Sequence, residues 1–252
     1  MLIDKCFPDY PYLNGTGFFC RLAGGTRYFY VTALHCLNDS DHHKDMDNFP
    51  LLKVAYRTSL ETHIVSESVR FEVAINVSHG CADKLGIFED VLIYTVDPAL
   101  TQQQENILRW RALIVREPSW YRNLFQRIDP TTHLRVIGYP KDSTTRSEIV
   151  DGKAQTQRRF LWGLFSNTAH YPDRKSIERL NWQGERITGF SGAPVLLQEE
   201  RLLGIESIPV GVVLTGNSQR LEFLEMSRVA DMLLHLERHG LSSPEVSFRY
   251  SS

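Results

Sequence analysis

A serine set among small residues, Thr188-Gly189-Phe190-Ser191-Gly192-Ala193-Pro194, stands just before the apolar run Val195-Leu196-Leu197. Glycines on both sides let the backbone fold tightly around it. Such a loop exposes Oγ and turns neighbouring N–H groups toward one point, which is what stabilising a tetrahedral oxyanion requires. Taken alone, a serine in a glycine-rich turn is also an ordinary way to lead into a strand. His35 closes the stretch Val31-Thr32-Ala33-Leu34, where a lone histidine is more often structural. Asp90 stands at the mouth of Val91-Leu92-Ile93-Tyr94, where a half-buried carboxylate needs a donor. The three together say more than any one. Acyl transfer by serine needs a base to take the hydroxyl proton and an acid to orient that base. Each residue falls at the end of a strand-like segment, in the order His, Asp, Ser. Glu89 and Asp97 are the nearest rivals to Asp90, which is preferred for its position at the strand mouth.

Positioning these side chains requires rigid strands. The first hundred residues alternate short β-branched and aromatic segments with Gly, Asn, Asp and Pro, a strand-and-turn texture. Gly17 to Leu22 and Tyr28 to Ala33 predict a hairpin across Ala23-Gly24-Gly25-Thr26. Leu51 to Tyr56, His63 to Val65, Arg70 to Val77 and Val91 to Thr95 are further strands of one all-β domain, residues 1–100. Residues 101–130 shift toward Trp, Arg, Gln and Leu and read as an interdomain connection with helical turns. Its Trp110 and Trp120 serve either interdomain packing or a partner. A second all-β domain, residues 131–225, follows from His133 to Tyr139, Arg159 to Ser166, Ala193 to Leu197, Leu202 to Ile208 and Val210 to Leu214. Met226, Val229, Ala230, Leu233 and Leu236 recur at helical spacing and Gly240 supplies a stop, so residues 226–252 are a helix and tail.

Composition narrows the class. Twenty-eight basic and 30 acidic residues, spread along 252, give a formal net charge of -2 and no basic face for nucleic acid. A protein, peptide or small-molecule partner fits better. No apolar run approaches the roughly 20 residues of a membrane helix, so no span is expected. The first residues, Met-Leu-Ile-Asp-Lys-Cys-Phe-Pro-Asp, carry an acid and a proline where a secretory signal has its apolar centre, which leads us to expect a cytoplasmic protein. Four cysteines, Cys6, Cys20, Cys36 and Cys81, match no zinc spacing and read as free thiols, with a Cys20–Cys36 bridge as the open alternative. The acid- and histidine-rich stretch from Asn38 to Asp47 fits no EF-hand spacing and reads as a solvated loop. Neither a metal nor a cofactor is expected.

Four segments, in order, carry a resemblance to the trypsin-like serine peptidases. Thr32-Ala33-Leu34-His35-Cys36 resembles that family's Thr-Ala-Ala-His-Cys, and Asp90-Val91-Leu92-Ile93 its Asp-Ile-Ala-Leu. Gly189-Phe190-Ser191-Gly192-Ala193-Pro194 is similar to Gly-Asp-Ser-Gly-Gly-Pro, and Gly15-Thr16-Gly17-Phe18-Phe19 to the Gly-Ser-Gly-Phe of bacterial members. Val136-Ile137-Gly138-Tyr139-Pro140 and Leu203-Gly204-Ile205 add weaker matches. The resemblance implies two packed antiparallel β-barrels of the chymotrypsin-like kind, followed here by a C-terminal α-helix. It implies an endopeptidase acting on a protein or peptide, with His35 as general base, Asp90 as its orienting acid and Ser191 as nucleophile. The N–H groups of Gly189 and Ser191 would form the oxyanion hole. Phe190 replaces the aspartate that secreted members use for activation by N-terminal cleavage, which implies an enzyme active as made. Glu185, six before the serine, and Glu206 are the candidate substrate-binding acids, implying Lys or Arg before the scissile bond, unless both are merely solvated or salt-bridged. Ser207 resembles the serine that supports the triad aspartate. Two other functions use the same residues: a binding module whose catalysis has lapsed, and a serine esterase.

Overall fold

The computed structural model describes residues 15–36, 52–57, 64–78, 88–140, 148–150, 153–155, 158–169, 174–183, 187–202 and 204–240. In chain order the strands and helices are β1 (Gly17–Leu22), β2 (Phe29–Ala33), β3 (Leu52–Arg57), β4 (Ile64–Val69), β5 (Phe71–Ser78) and β6 (Phe88–Val96), then α1 (Gln102–Arg111), β7 (Leu113–Val115) and α2 (Pro118–Arg127). They continue with β8 (His133–Gly138), β9 (Glu148–Val150), β10 (Lys153–Gln155), β11 (Arg159–Ser166), β12 (Arg174–Glu178), β13 (Pro194–Arg201), β14 (Gly204–Gly216), β15 (Arg220–Glu225) and α3 (Met226–His239). The chain is mostly β. One sheet has the order β5-β6-β2-β1-β7, and a second closes into a barrel, β11-β12-β15-β14-β13-β8.

The β1–β2 hairpin forms where its strand segments and glycine turn predict it, with Gly17 opposite Thr32 and Cys20 opposite Phe29. The expected C-terminal helix is α3, and the connection, expected to hold helical turns, carries two full helices, α1 and α2. The connection is helix, strand, helix: Thr101 and Gln104 close a reciprocal capping box on α1, and Pro118 opens α2. Between them β7 joins the first sheet parallel to β1. The expected strands at Leu202 to Ile208 and Val210 to Leu214 are one strand, β14, running through Pro209. A register shift opposite Val195 and Leu196 lets a residue without an N–H sit inside the ladder. Neither β12 nor β15 was expected: charged residues interrupt the few apolar ones they carry.

Phe18, Phe29, Val31 and Ile93 of the first sheet share one buried core with Leu134, Leu161, Val195 and Phe223 of the barrel. Val229, Ala230, Leu233 and Leu236, the predicted helical stripe, seal that core from α3, and Gly240 ends the helix at φ 61°. Trp120 packs edge-on against the fully buried Tyr121, whereas Trp110 stays 89% exposed. Among the described residues no helix is long and apolar enough to cross a membrane.

Cys20 and Cys36 are both free and buried, so the bridge left open above is not formed; Cys6 and Cys81 lie outside the described residues. Burial pushes the Cys20 thiol well above its ordinary range, because a thiolate would sit in apolar surroundings. Native protein is therefore expected to leave Cys20 unmodified by iodoacetamide until it is unfolded. Peptide mapping checks this, and modification of Cys20 at the rate of an exposed thiol would contradict it.

Candidate active site

His35 and Asp90 meet because of strand register. β2 pairs antiparallel with β6, Thr32 opposite Leu92 and Ala33 opposite Val91, so the last residues of β2 lie beside the first residues of β6. Beyond that ladder the chain makes one tight turn, Leu34–Cys36, which lays His35 over Asp90. The His35 N–H donates to Asp90 Oδ1 at 2.9 Å, and the ring Nδ1 bonds to Asp90 Oδ2. A carboxylate only accepts, so Nδ1 carries the proton. Asp97 sits at the opposite end of β6, about 23 Å along an extended strand, where it accepts the Ala99 N–H at 2.8 Å. A groove of about 920 Å³ lined by Thr26, Glu72, Asp97 and Arg238 lies at that other end as well.

Ser191 arrives from the barrel, in the turn that leads into β13. Gly189 and Gly192 have φ of 99° and 78°, the left-handed region that glycine adopts without strain. At Gly192 a side chain has no room: a Cβ would lie 2.1 Å from the Thr16 carbonyl oxygen and 2.7 Å from the Ala33 nitrogen. The serine turn is thus pressed against the end of β2, the strand that delivers His35. Hydrogen bonds across this seam complete the approach. The Thr16 N–H donates to the Ser191 carbonyl at 2.8 Å, and the Gly192 N–H to the Val213 carbonyl at 2.8 Å. The Cys36 thiol, next to His35, reaches the same Ser191 carbonyl at 3.5 Å.

The Ser191 hydroxyl itself donates to the Leu214 carbonyl at 3.4 Å, and among the described residues no hydrogen bond joins it to His35. Among the described residues, neither the Gly189 nor the Ser191 N–H donates a backbone hydrogen bond.

Phe190 is fully buried. It stands edge-on to Trp182, ring centres 5.4 Å apart and planes at 86°, and lies so close to Gly138 that a Cβ there would come within 2.6 Å of the ring. An apolar ring in the shared core therefore anchors the residue before the serine.

The expected Glu206 and Ser207 are not brought here. Glu206 pairs with Arg116 at 3.2 Å and Arg201 at 3.0 Å on an exposed stretch of β14. Ser207 faces Gln198 in the ladder, seven residues or about 23 Å of strand from Leu214. The carbonyl that meets the serine belongs to Leu214, and among the described residues no hydrogen bond joins Ser207 to Asp90. Glu185 lies outside the described residues, as do Asn38 to Asp47. Among the described residues no group of His, Cys, Asp or Glu could hold a metal ion. Thr16, Thr32 and Leu214 are the contributors that residue chemistry did not single out. Thr16 had one signal, its place in Gly15-Thr16-Gly17; Leu214 had none, because it acts through its backbone.

The hydrogen bond to Asp90, and then the neighbouring Cys36, push the His35 imidazole up from 6.5 to about 10, with burial pulling the other way. A pKa raised on folding means that the pair stabilises the protein fully below pH 6.5 and loses that contribution as pH climbs through about 10. With the two side chains 47% and 34% exposed, water screens the pair and the effect is small. The same titration governs reactivity, since only the neutral ring accepts a proton. Labelling of Ser191 by a fluorophosphonate is expected to accelerate with pH along an apparent pKa above 6.5, and Asp90→Asn to shift that rise toward 6.5 with a lower plateau. A pH-independent rate between 6 and 10 would contradict it.

No protein-family model matches the chain, and no curated protein matches it either.

Proposed function

We propose that this protein is a trypsin-like serine endopeptidase, its first sheet and its closed barrel corresponding to the two packed barrels of that fold. The observation that carries the reading is the meeting of two separate elements. A His–Asp pair at the end of β2 receives, across a hydrogen-bonded seam, a glycine-flanked serine from the barrel. In the proposed reaction Ser191 Oγ attacks the carbonyl carbon of a peptide bond while its proton passes to His35 Nε2. The carbonyl oxygen, now negative, is held by the N–H groups of Gly189 and Ser191. Collapse breaks the C–N bond, and the departing amine takes the proton from His35. Water, deprotonated by His35, then hydrolyses the acyl-enzyme and restores the serine. Asp90 keeps the ring oriented and stabilises the imidazolium throughout. The two ion pairs of Glu206 leave a preference for basic residues resting on Glu185 alone.

A second reading, a binding module with unused catalytic residues, draws on the Ser191 hydroxyl pointing to the Leu214 carbonyl. Fluorophosphonate labelling followed by peptide mapping decides between them. Label on Ser191 supports the hydrolase, and a folded protein that takes no label supports the binding module. A peptide library then separates endopeptidase from esterase.

A further inference from the structure

We propose that Thr16 is a positioning residue that holds the oxyanion-binding turn in shape, an inference that rests on the serine-peptidase reading above. Thr16 is 5% exposed and makes four hydrogen bonds. Its Oγ1 donates to the Gly189 carbonyl at 2.6 Å and accepts the Tyr139 N–H at 3.0 Å. Its backbone N–H donates to the Ser191 carbonyl at 2.8 Å, and its own carbonyl accepts from Thr32 Oγ1 at 2.8 Å. A hydroxyl has one proton and two lone pairs, so one side chain serves both of its partners without conflict.

The geometry of the peptide chain gives these bonds their meaning. The Gly189 carbonyl belongs to the peptide unit joining residues 189 and 190, and the Ser191 carbonyl to the unit joining 191 and 192. The Ser191 N–H, a proposed oxyanion donor, lies on the unit between them. Peptide units are planar, so holding the two outer planes leaves the middle one little freedom to rotate. Thr16 therefore sets the direction in which that N–H points. It also ties three places together: the start of β1, the serine turn, and Tyr139 just beyond β8. Phe190 anchors the turn from the core side, and Thr16 from the seam.

Valine at position 16 has nearly the same shape but strands the buried Gly189 carbonyl and the Tyr139 N–H, while serine keeps both bonds. The backbone bond to Ser191 survives in either variant. The test compares wild type, Thr16→Val and Thr16→Ser by fluorophosphonate labelling and by hydrolysis of p-nitrophenyl acetate. Thr16→Val is expected to lower kcat by about 10- to 100-fold with KM within about twofold, since misdirecting an oxyanion donor damages the transition state rather than binding. Thr16→Ser is expected within about threefold of wild type. Wild-type kcat in Thr16→Val, or equal losses in the valine and serine variants, would overturn the assignment and leave the peptidase reading standing. A wild type that neither labels nor hydrolyses the ester would instead defeat the peptidase reading, and the assignment with it. Should the valine variant fail to fold, Thr32→Val, which removes only the bond to the Thr16 carbonyl, takes its place. A kcat about 3- to 10-fold lower supports the clamp, and an unchanged kcat overturns it.

Discussion

Ser191→Ala is expected to abolish fluorophosphonate labelling, and His35→Ala to slow turnover of any cleaved peptide or ester by about 10⁴-fold or more. The size follows from the division of labour. Without its Oγ the protein has no atom to form the acyl bond. Without the imidazole the hydroxyl keeps its proton and is a poor nucleophile at neutral pH. Asp90→Asn is expected to cost about as much as His35→Ala, because an amide in place of Oδ2 can present a donor to Nδ1 and turn the wrong tautomer toward the serine. The losses should not add. A double variant of His35 and Ser191 is expected to be no slower than the worse single one, since both remove the same step. Substrate turnover that survives Ser191→Ala unchanged would show that the serine is not the nucleophile.

Phe190→Ala is expected to lower stability by about 3–5 kcal/mol, the usual cost of emptying a fully buried aromatic site. The ring touches Trp182 and the bare backbone of Gly138. Removing it leaves a void in the shared core beside Trp182 and Gly138. The urea midpoint measures the loss, and an unchanged slope shows that the unfolded state is not what moved. Labelling of the folded fraction should fall too, because the turn loses its anchor from the core. Phe190→Leu refills much of the space and should recover most of both. Because burial does the anchoring, salt up to about 1 M should not reproduce the defect, as it would for an ion pair. A change below about 1 kcal/mol would show that the ring is not the anchor.

Much of this fold is legible in residue pattern. The hairpin β1–β2 occurs where its apolar segments and glycine turn put it, and β11 and α3 occur where alternation and helical spacing do, since each of those two buries one regular face. The failures have physical reasons. β12 has one apolar residue, Ile177, among Arg174, Lys175, Ser176 and Glu178, and β15 sets Leu221, Phe223 and Leu224 among Arg220, Glu222 and Glu225. Such strands are held by ladder partners on both sides, which no local window reveals. Pro209 and Gly211 suggest a break in β14, yet a bulge absorbs it. The 101–130 connection has helices whose start signals, Thr101 with Gln104 and Pro118, are plain, but whose role as a brace carrying β7 depends on a distant partner, β1.

For the candidate site the same boundary holds. Residue types alone determined that a serine, a histidine and a carboxylate suited to acyl transfer occur at strand ends, since glycine spacing and apolar runs are local properties. Only the tertiary structure decided which partners they take. The β2–β6 register brings Asp90 rather than Asp97 to His35, and closure of the barrel brings the Leu214 carbonyl to Ser191. It also turns Thr16 from one letter of a short motif into the hub of four hydrogen bonds. These contacts join residues up to 175 positions apart, as Thr16 and Ser191 are. Their geometry is fixed by sheet register and barrel closure, which neighbouring residues do not encode.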